Sequence, residues 1–335
     1  MSLKKNQQGA GHIVLILAVI VIAAIGFAAY RVLGKKKDTT TKSTSPSAVA
    51  KTPAETKKTW KDGEFVVKGT YADADVVQVG DKEWRMYYAI QPEVKGNRFE
   101  VYSATSSDGK TWKQESGTRK TMATFPDVVK TKEGKWRMYF QQAGVLKSAI
   151  SSDGLIFTDE PGTRIDTNNS VGMVFDNVAA PSTILQADGT YMMVYRGTNN
   201  TRYAADTPNA TTQVLLWATS PDGLSWTKQG MAVDTRNATL RGQLDGPDVV
   251  KWDDGKLHVF ATNYDGVFEF IFDGSKFDTG TKAFALGNST PPANSQPAKA
   301  VAPPGDPTLA KINGTWYMYY GVAFADGGIH SATLQ

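Results

Sequence analysis

The order of apolar and polar positions divides the chain into three regimes. Residues 13–29 (IVLILAVIVIAAIGFAA) carry no charge, and Gly11, His12 and Tyr30 extend the run without adding a fixed one. About 20 apolar residues at ~1.5 Å rise cross a hydrocarbon core of roughly 30 Å. Residues 1–37 are therefore expected to form one transmembrane helix with basic flanks, Lys4 and Lys5 before it and Arg31, Lys35, Lys36 and Lys37 after it. The competing reading is a cleaved signal peptide, whose apolar region runs only about 7–15 residues. Residues 38–60 offer no large apolar side chain before Trp60 except Val49. A segment so rich in Thr, Ser, Lys and Pro cannot bury enough surface to fold, and a disordered stalk is expected. From residue 61 onward the pattern changes to short alternating stretches separated by Gly, Asp and Asn.

Those stretches repeat. Five segments share one pattern: Ala74-DVVQVGDKEWRMYY, Pro126-DVVKTKEGKWRMYF, Pro181-STILQADGTYMMVY, Pro247-DVVKWDDGKLHVFA and Pro307-TLAKINGTWYMYYG. Each reads as an apolar strand, a tight turn and a second strand with alternating large side chains, such as Trp84/Met86/Tyr88. Gly134, Asp188-Gly189, Asp254-Gly255 and Asn313-Gly314 supply the positive-φ turns that hairpins need. A second motif follows in four units, at residues 103–112 (SATSSDGKTW), 148–157, 217–226 and 270–277, where a third strand turns through Asp-Gly toward a fourth. These elements resemble sialidase Asp-boxes shortened by one residue, and on so many units they read as turn architecture. Four strands per unit, recurring about every 50 to 65 residues, predict an all-β five-bladed propeller over residues 61–335. The fifth unit carries only three strand signals. A closed ring must borrow its fourth strand, and residues 64–68 (EFVVK) are the expected donor.

Charge sharpens the division. The net +4 hides ten Lys/Arg within residues 1–60 against Asp38 and Glu55, so the folded part is net acidic. Nucleic acid is therefore excluded as a partner, because that reading needs a basic patch on the domain itself. The positive-inside rule does not decide orientation, since both flanks of the apolar run are basic. A stalk beside an anchor suits a tethered surface domain, so a single-pass protein of the cell membrane with an extracellular propeller, acting as a monomer, is expected. The chain has no cysteine, which removes disulfides and thiolate chemistry. Its histidines, His12, His258 and His330, form no cluster with ligand spacing, so no metal and no cofactor is expected.

Candidate chemistry lies where each first strand begins. The residue before the Ala/Pro position is Asp73, Phe125, Ala180, Gly246 and Asp306 in units one to five, with Asp245 one place further back in unit four. In a propeller these positions face one mouth of the central channel. The quoted units resemble the five-bladed glycoside hydrolases of the arabinanase, β-xylosidase, levansucrase and invertase superfamily. Tyr71-Ala-Asp73-Ala-Asp75-Val-Val resembles the first-blade motif and Phe125-Pro-Asp127-Val-Val the second. Leu244-Asp245-Gly-Pro-Asp248-Val-Val resembles the fourth, with Asp in place of Glu. Ala179-Ala180-Pro181-Ser182 lacks the carboxylate expected on the third, so the active site departs from the pattern.

The resemblance implies hydrolysis of furanosides or pentose-containing glycans, with Asp73 as base or nucleophile and Asp245 as acid. Asp306 or Asp176 are the candidates to replace the missing third carboxylate. Asp306, Phe125, Arg196 and Arg241 are candidate substrate-binding residues, the two arginines serving equally well as salt-bridge partners. The alternative is a non-catalytic carbohydrate-binding or adhesion propeller. An Asp245 already engaged in an ion pair would favour it.

Overall fold

The computed structural model describes residues 59–90, 99–207, 209–285, 305–322 and 327–335. The expected anchor and the stalk up to residue 58 lie outside the described residues. Strand β1 (Trp60–Lys68) precedes five sheet units and completes the last of them as its fourth strand. Blade one comprises β2 (Tyr71–Gly80), β3 (Glu83–Ile90), β4 (Glu100–Ser106) and the short β5 (Lys113–Gln114), with β6 (Lys120–Thr121) also paired to β4. Blade two is β7 (Thr124–Lys130), β8 (Trp136–Gln142), β9 (Val145–Ser151) and β10 (Thr158–Asp159). Blade three follows as β11 (Asn177–Leu185), β12 (Tyr191–Asn199), β13 (Thr212–Ser220) and β14 (Thr227–Val233). Blade four is β15 (Asp245–Lys251), β16 (Leu257–Asn263), β17 (Gly266–Phe272) and β18 (Thr281–Ala285). Blade five has β19 (Gly305–Ile312), β20 (Thr315–Val322) and β21 (Gly328–Leu334).

The borrowed strand is β1, which pairs antiparallel with the last strand of the chain, Trp60 opposite Leu334 and Lys68 opposite Gly328. Backbone bonds between Thr59 and Gln335 run in both directions and extend the seam by one residue. Asp62 of β1 accepts from the Tyr320 hydroxyl at 2.5 Å and lies 3.2 Å from His330 Nδ1, so a buried polar clasp ties the first strand to blade five.

Alternation along each strand explains how blades pack. The apolar core is divided into five wedges, one between each pair of neighbouring blades. Trp84, Met86 and Tyr88 of β3 face Ile312, Tyr317 and Tyr319 of blade five, whereas Tyr87 turns the other way toward Val128 and Met138 of blade two. A period-2 strand thus serves both neighbours at once.

The Ser-x-Asp-Gly turns are architecture, as expected. Ser106, Ser151 and Ser220 accept from the amides of Gly109, Gly154 and Gly223, and Asp108, Asp153 and Asp222 each cap two further amides. Those amide bonds hold the Asp153 and Asp222 carboxyls down at about 2. Each turn then locks onto the preceding blade. The hydroxyls of Tyr319, Tyr87 and Tyr139 donate to the carbonyls of Gly109, Gly154 and Gly223, and Trp112, Phe157 and Trp226 meet the same tyrosines edge-on. Blade four differs: its turn closes on Phe277, which bridges back to Phe272, and the fourth strand forms only later as β18.

Candidate active site

Every inner strand carries a bulge at the same place. Pairing slips between Ala72 and Asp75, Thr124 and Asp127, Ala179 and Ser182, Asp245 and Asp248, and Gly305 and Thr308. Within each slip one residue takes a left-handed conformation: Asp73 (φ 52°), Phe125 (52°), Ala180 (47°), Gly246 (50°) and Asp306 (46°). Four of these carry a Cβ, for which that region is disfavoured by about 1 kcal/mol each. The bulge re-aims the chain at a functional edge, and here it turns five equivalent positions into one channel mouth. All five line a single cavity together with the residues that follow them.

Blades three and four supply the charged centre. Arg196, from β12, forms an ion pair with Asp245 Oδ1, and the Gly246 amide donates to that same oxygen at 2.8 Å. The Arg196 guanidinium lies over the Phe125 ring, 5.1 Å from its centroid, which fixes the arginine from a second side. Phe125 and Arg196 are thus brought together with Asp245.

Asp306 completes the group. Its carboxyl is pushed well above the ordinary range by burial first, then by the charges of Asp245 and Asp73, with Arg196 opposing. It shares a side-chain hydrogen bond with Asp73. The Asp306 Oδ1 is out of reach of solvent and has no hydrogen-bond partner among the described residues. Glycine at 246 makes room for this arrangement, since a Cβ there would overlap the Asp306 Oδ1 and Cα and come within 2.6 Å of its Cβ.

The other candidates stand elsewhere. Arg241 pairs with Asp265 at 3.8 Å and lies over the Tyr264 ring at 5.1 Å. Asp176 accepts the Asn200 amide at 2.7 Å and so holds a loop. Among the described residues, no group of three or more His, Asp or Glu side chains is arranged to hold a metal ion.

A second ring, two residues further along each inner strand, was not anticipated from the sequence. Asp75 accepts the Val128 amide at 2.8 Å, Asp127 the Thr183 amide at 3.1 Å, Ser182 the Val249 amide at 2.9 Å and Asp248 the Leu309 amide at 2.7 Å. Each bond reaches from one blade to the next, so these side chains clasp the ring around its channel. Burial pushes Asp127 and Asp248 up to about 7, and Asp75 well above its ordinary value. Both rings line one small cavity with about 30 Å³ of free space, room for a water or two. The signal for this ring was present in the Asp-Val-Val that follows three of the bulges.

No family model matches the chain, and no curated protein is similar to it at a significant level. Solved structures do share its fold. A protein of unknown function from Dyadobacter fermentans is 14% identical with a TM-score of 0.54, the match covering 82% of this chain and 99% of that one. A family 117 glycoside hydrolase from the marine bacterium Zobellia galactanivorans is 15% identical with a TM-score of 0.56, covering 83% and 90%. An α-L-arabinofuranosidase from Clostridium thermocellum is 16% identical with a TM-score of 0.50, covering 77% and 92%. At these identities the likeness concerns architecture: the chain is a five-bladed β-propeller whose structural neighbours include glycoside hydrolases.

Proposed function

We propose that this chain is a membrane-anchored, extracellular glycoside hydrolase-like propeller acting as a monomer on furanoside or pentose-containing glycans. The observation that carries the reading is the convergence of three carboxyls, Asp73, Asp245 and Asp306, from three blades on one channel mouth beside a buried guanidinium. Glycosidic cleavage needs one carboxyl that acts on the anomeric carbon or its water and another that delivers a proton to the leaving oxygen. Asp73 takes the first role and Asp245 the second. For Asp245 to reach the leaving oxygen, substrate must draw aside Arg196, which is paired with its Oδ1.

That same ion pair favours a second reading, a carbohydrate-binding propeller without hydrolysis. A paired Arg196–Asp245 unit presents fixed donors and acceptors to sugar hydroxyls and needs no proton transfer. The deciding experiment uses the full chain in detergent, beside its Asp73→Asn and Asp245→Asn variants, assayed for sugar release from arabinans, xylans, fructans and aryl furanosides. Release that both variants abolish is the expected result. No release from any substrate by folded protein, with retention on an immobilised glycan, would transfer the assignment to binding.

A further inference from the structure

The sequence pattern leaves blade three without a carboxyl at the mouth, since Ala180 stands at its bulge. Blade five has one at the equivalent place, and its surroundings are unusual. Asp306 reaches across the space that Gly246 leaves open, toward blade four. Among the described residues the cation facing it is Arg196, which is committed to Asp245 and to the Phe125 ring. The groups that face Asp306 are therefore Asp73 from β2, Asp245 from β15 and Arg196 from β12, two carboxyls against one engaged guanidinium. A charged carboxylate in that position would bury an oxygen with no donor, the arrangement that desolvation penalises most. A carboxylic acid lowers that cost, because the oxygen that carries its proton donates to Asp73 and Oδ1 is left as a neutral carbonyl oxygen.

We propose that Asp306 is the positioning residue of this site, its carboxyl donating a hydrogen bond to the Asp73 carboxylate and so aiming Asp73 at the mouth. Blade five thereby supplies the third carboxyl that blade three lacks. The inference rests on the proposed function only for the purpose of the aiming; the hydrogen bond itself is independent of any reaction. Asp73 is thereby held in one orientation, ready to act as base or nucleophile, and Asp306 acts through it.

The test is carboxyl NMR on the full chain labelled with ¹³Cγ-aspartate in detergent, with Asp306→Asn, Asp306→Ala and Asp73→Asn variants. The wild type should show a carboxyl that stays protonated above the ordinary range and disappears in Asp306→Asn. In Asp73→Asn that same resonance should titrate at lower pH, since a neighbouring negative charge has gone. A resonance missing from Asp306→Asn that titrates in the ordinary range, or one unmoved by Asp73→Asn, overturns the proposal. If sugar release is found, Asp306→Ala should reduce it about 10-fold or more through misaligned Asp73, while Asp306→Asn, whose amide still donates, restores most of it. Equal loss in both variants overturns the positioning role. Absence of sugar release in the wild type rejects the proposed hydrolase without touching the titration result.

Discussion

Replacing Asp248 by asparagine should make the propeller more stable at pH 8 than the native chain, and less sensitive to pH throughout. Asp248 is buried between blades, accepting the Leu309 amide at 2.7 Å and bonded to the Ser182 hydroxyl at 3.1 Å. Burial raises its carboxyl from 3.8 to about 7. Between these values the folded chain holds a proton that the unfolded chain has released, so stability falls as pH rises. At about 1.4 kcal/mol per pH unit the full difference is about 4 kcal/mol, of which about 2.5 kcal/mol is lost between pH 5 and pH 8.

An asparagine keeps an oxygen for the Leu309 amide and turns its NH2 toward Ser182, so the clasp survives without the charge. Removing Asp248 also relieves Asp75 and Asp127, whose carboxyls its charge helps to raise. Urea titrations of the full chain in detergent, followed by tryptophan fluorescence at pH 5, 6, 7 and 8, would measure both curves. The native protein should lose stability steadily over that range, and the gap in favour of Asp248→Asn should widen by about 2 to 3 kcal/mol. A native stability that is flat or rising from pH 5 to pH 8, or two parallel curves, would refute the account of this ring as a set of buried, proton-holding clasps.

Two further outcomes follow from local geometry. Gly246→Ala should destabilise the fold by about 3 kcal/mol or more, since the added methyl overlaps Asp306 and the backbone is left-handed, and thermal unfolding would read it. Asp62→Ala should destabilise by about 2 kcal/mol, because it strips the buried Tyr320 hydroxyl of an acceptor at the closure seam; limited proteolysis at the start of β1 should accelerate in parallel.

The sequence by itself determined the architecture of this protein. Alternation in segments such as Trp84/Met86/Tyr88, hairpin turns at Asp188-Gly189 and Asn313-Gly314, and a repeat on the blade scale are local signals, each readable within one unit. The closing strand at residues 64–68 was legible for the same reason, since a unit short of one strand implies a donor. The position of the mouth was legible too, because Asp73, Phe125, Ala180, Gly246 and Asp306 occupy one place in the repeat. Their shared left-handed conformation was not, as the residue types there are unlike and only one is glycine.

Only the tertiary structure decided how the charges are used. Arg196 lies on the second strand of blade three and Asp245 on the first strand of blade four, and nothing in their local sequence joins them. The same holds for Asp248, which reads as part of a strand motif and becomes an inter-blade clasp once Ser182 and Leu309 flank it. Ion pairing, desolvation and shared protons depend on what a neighbouring blade brings within a few ångströms, and ring closure brings together residues far apart in the chain.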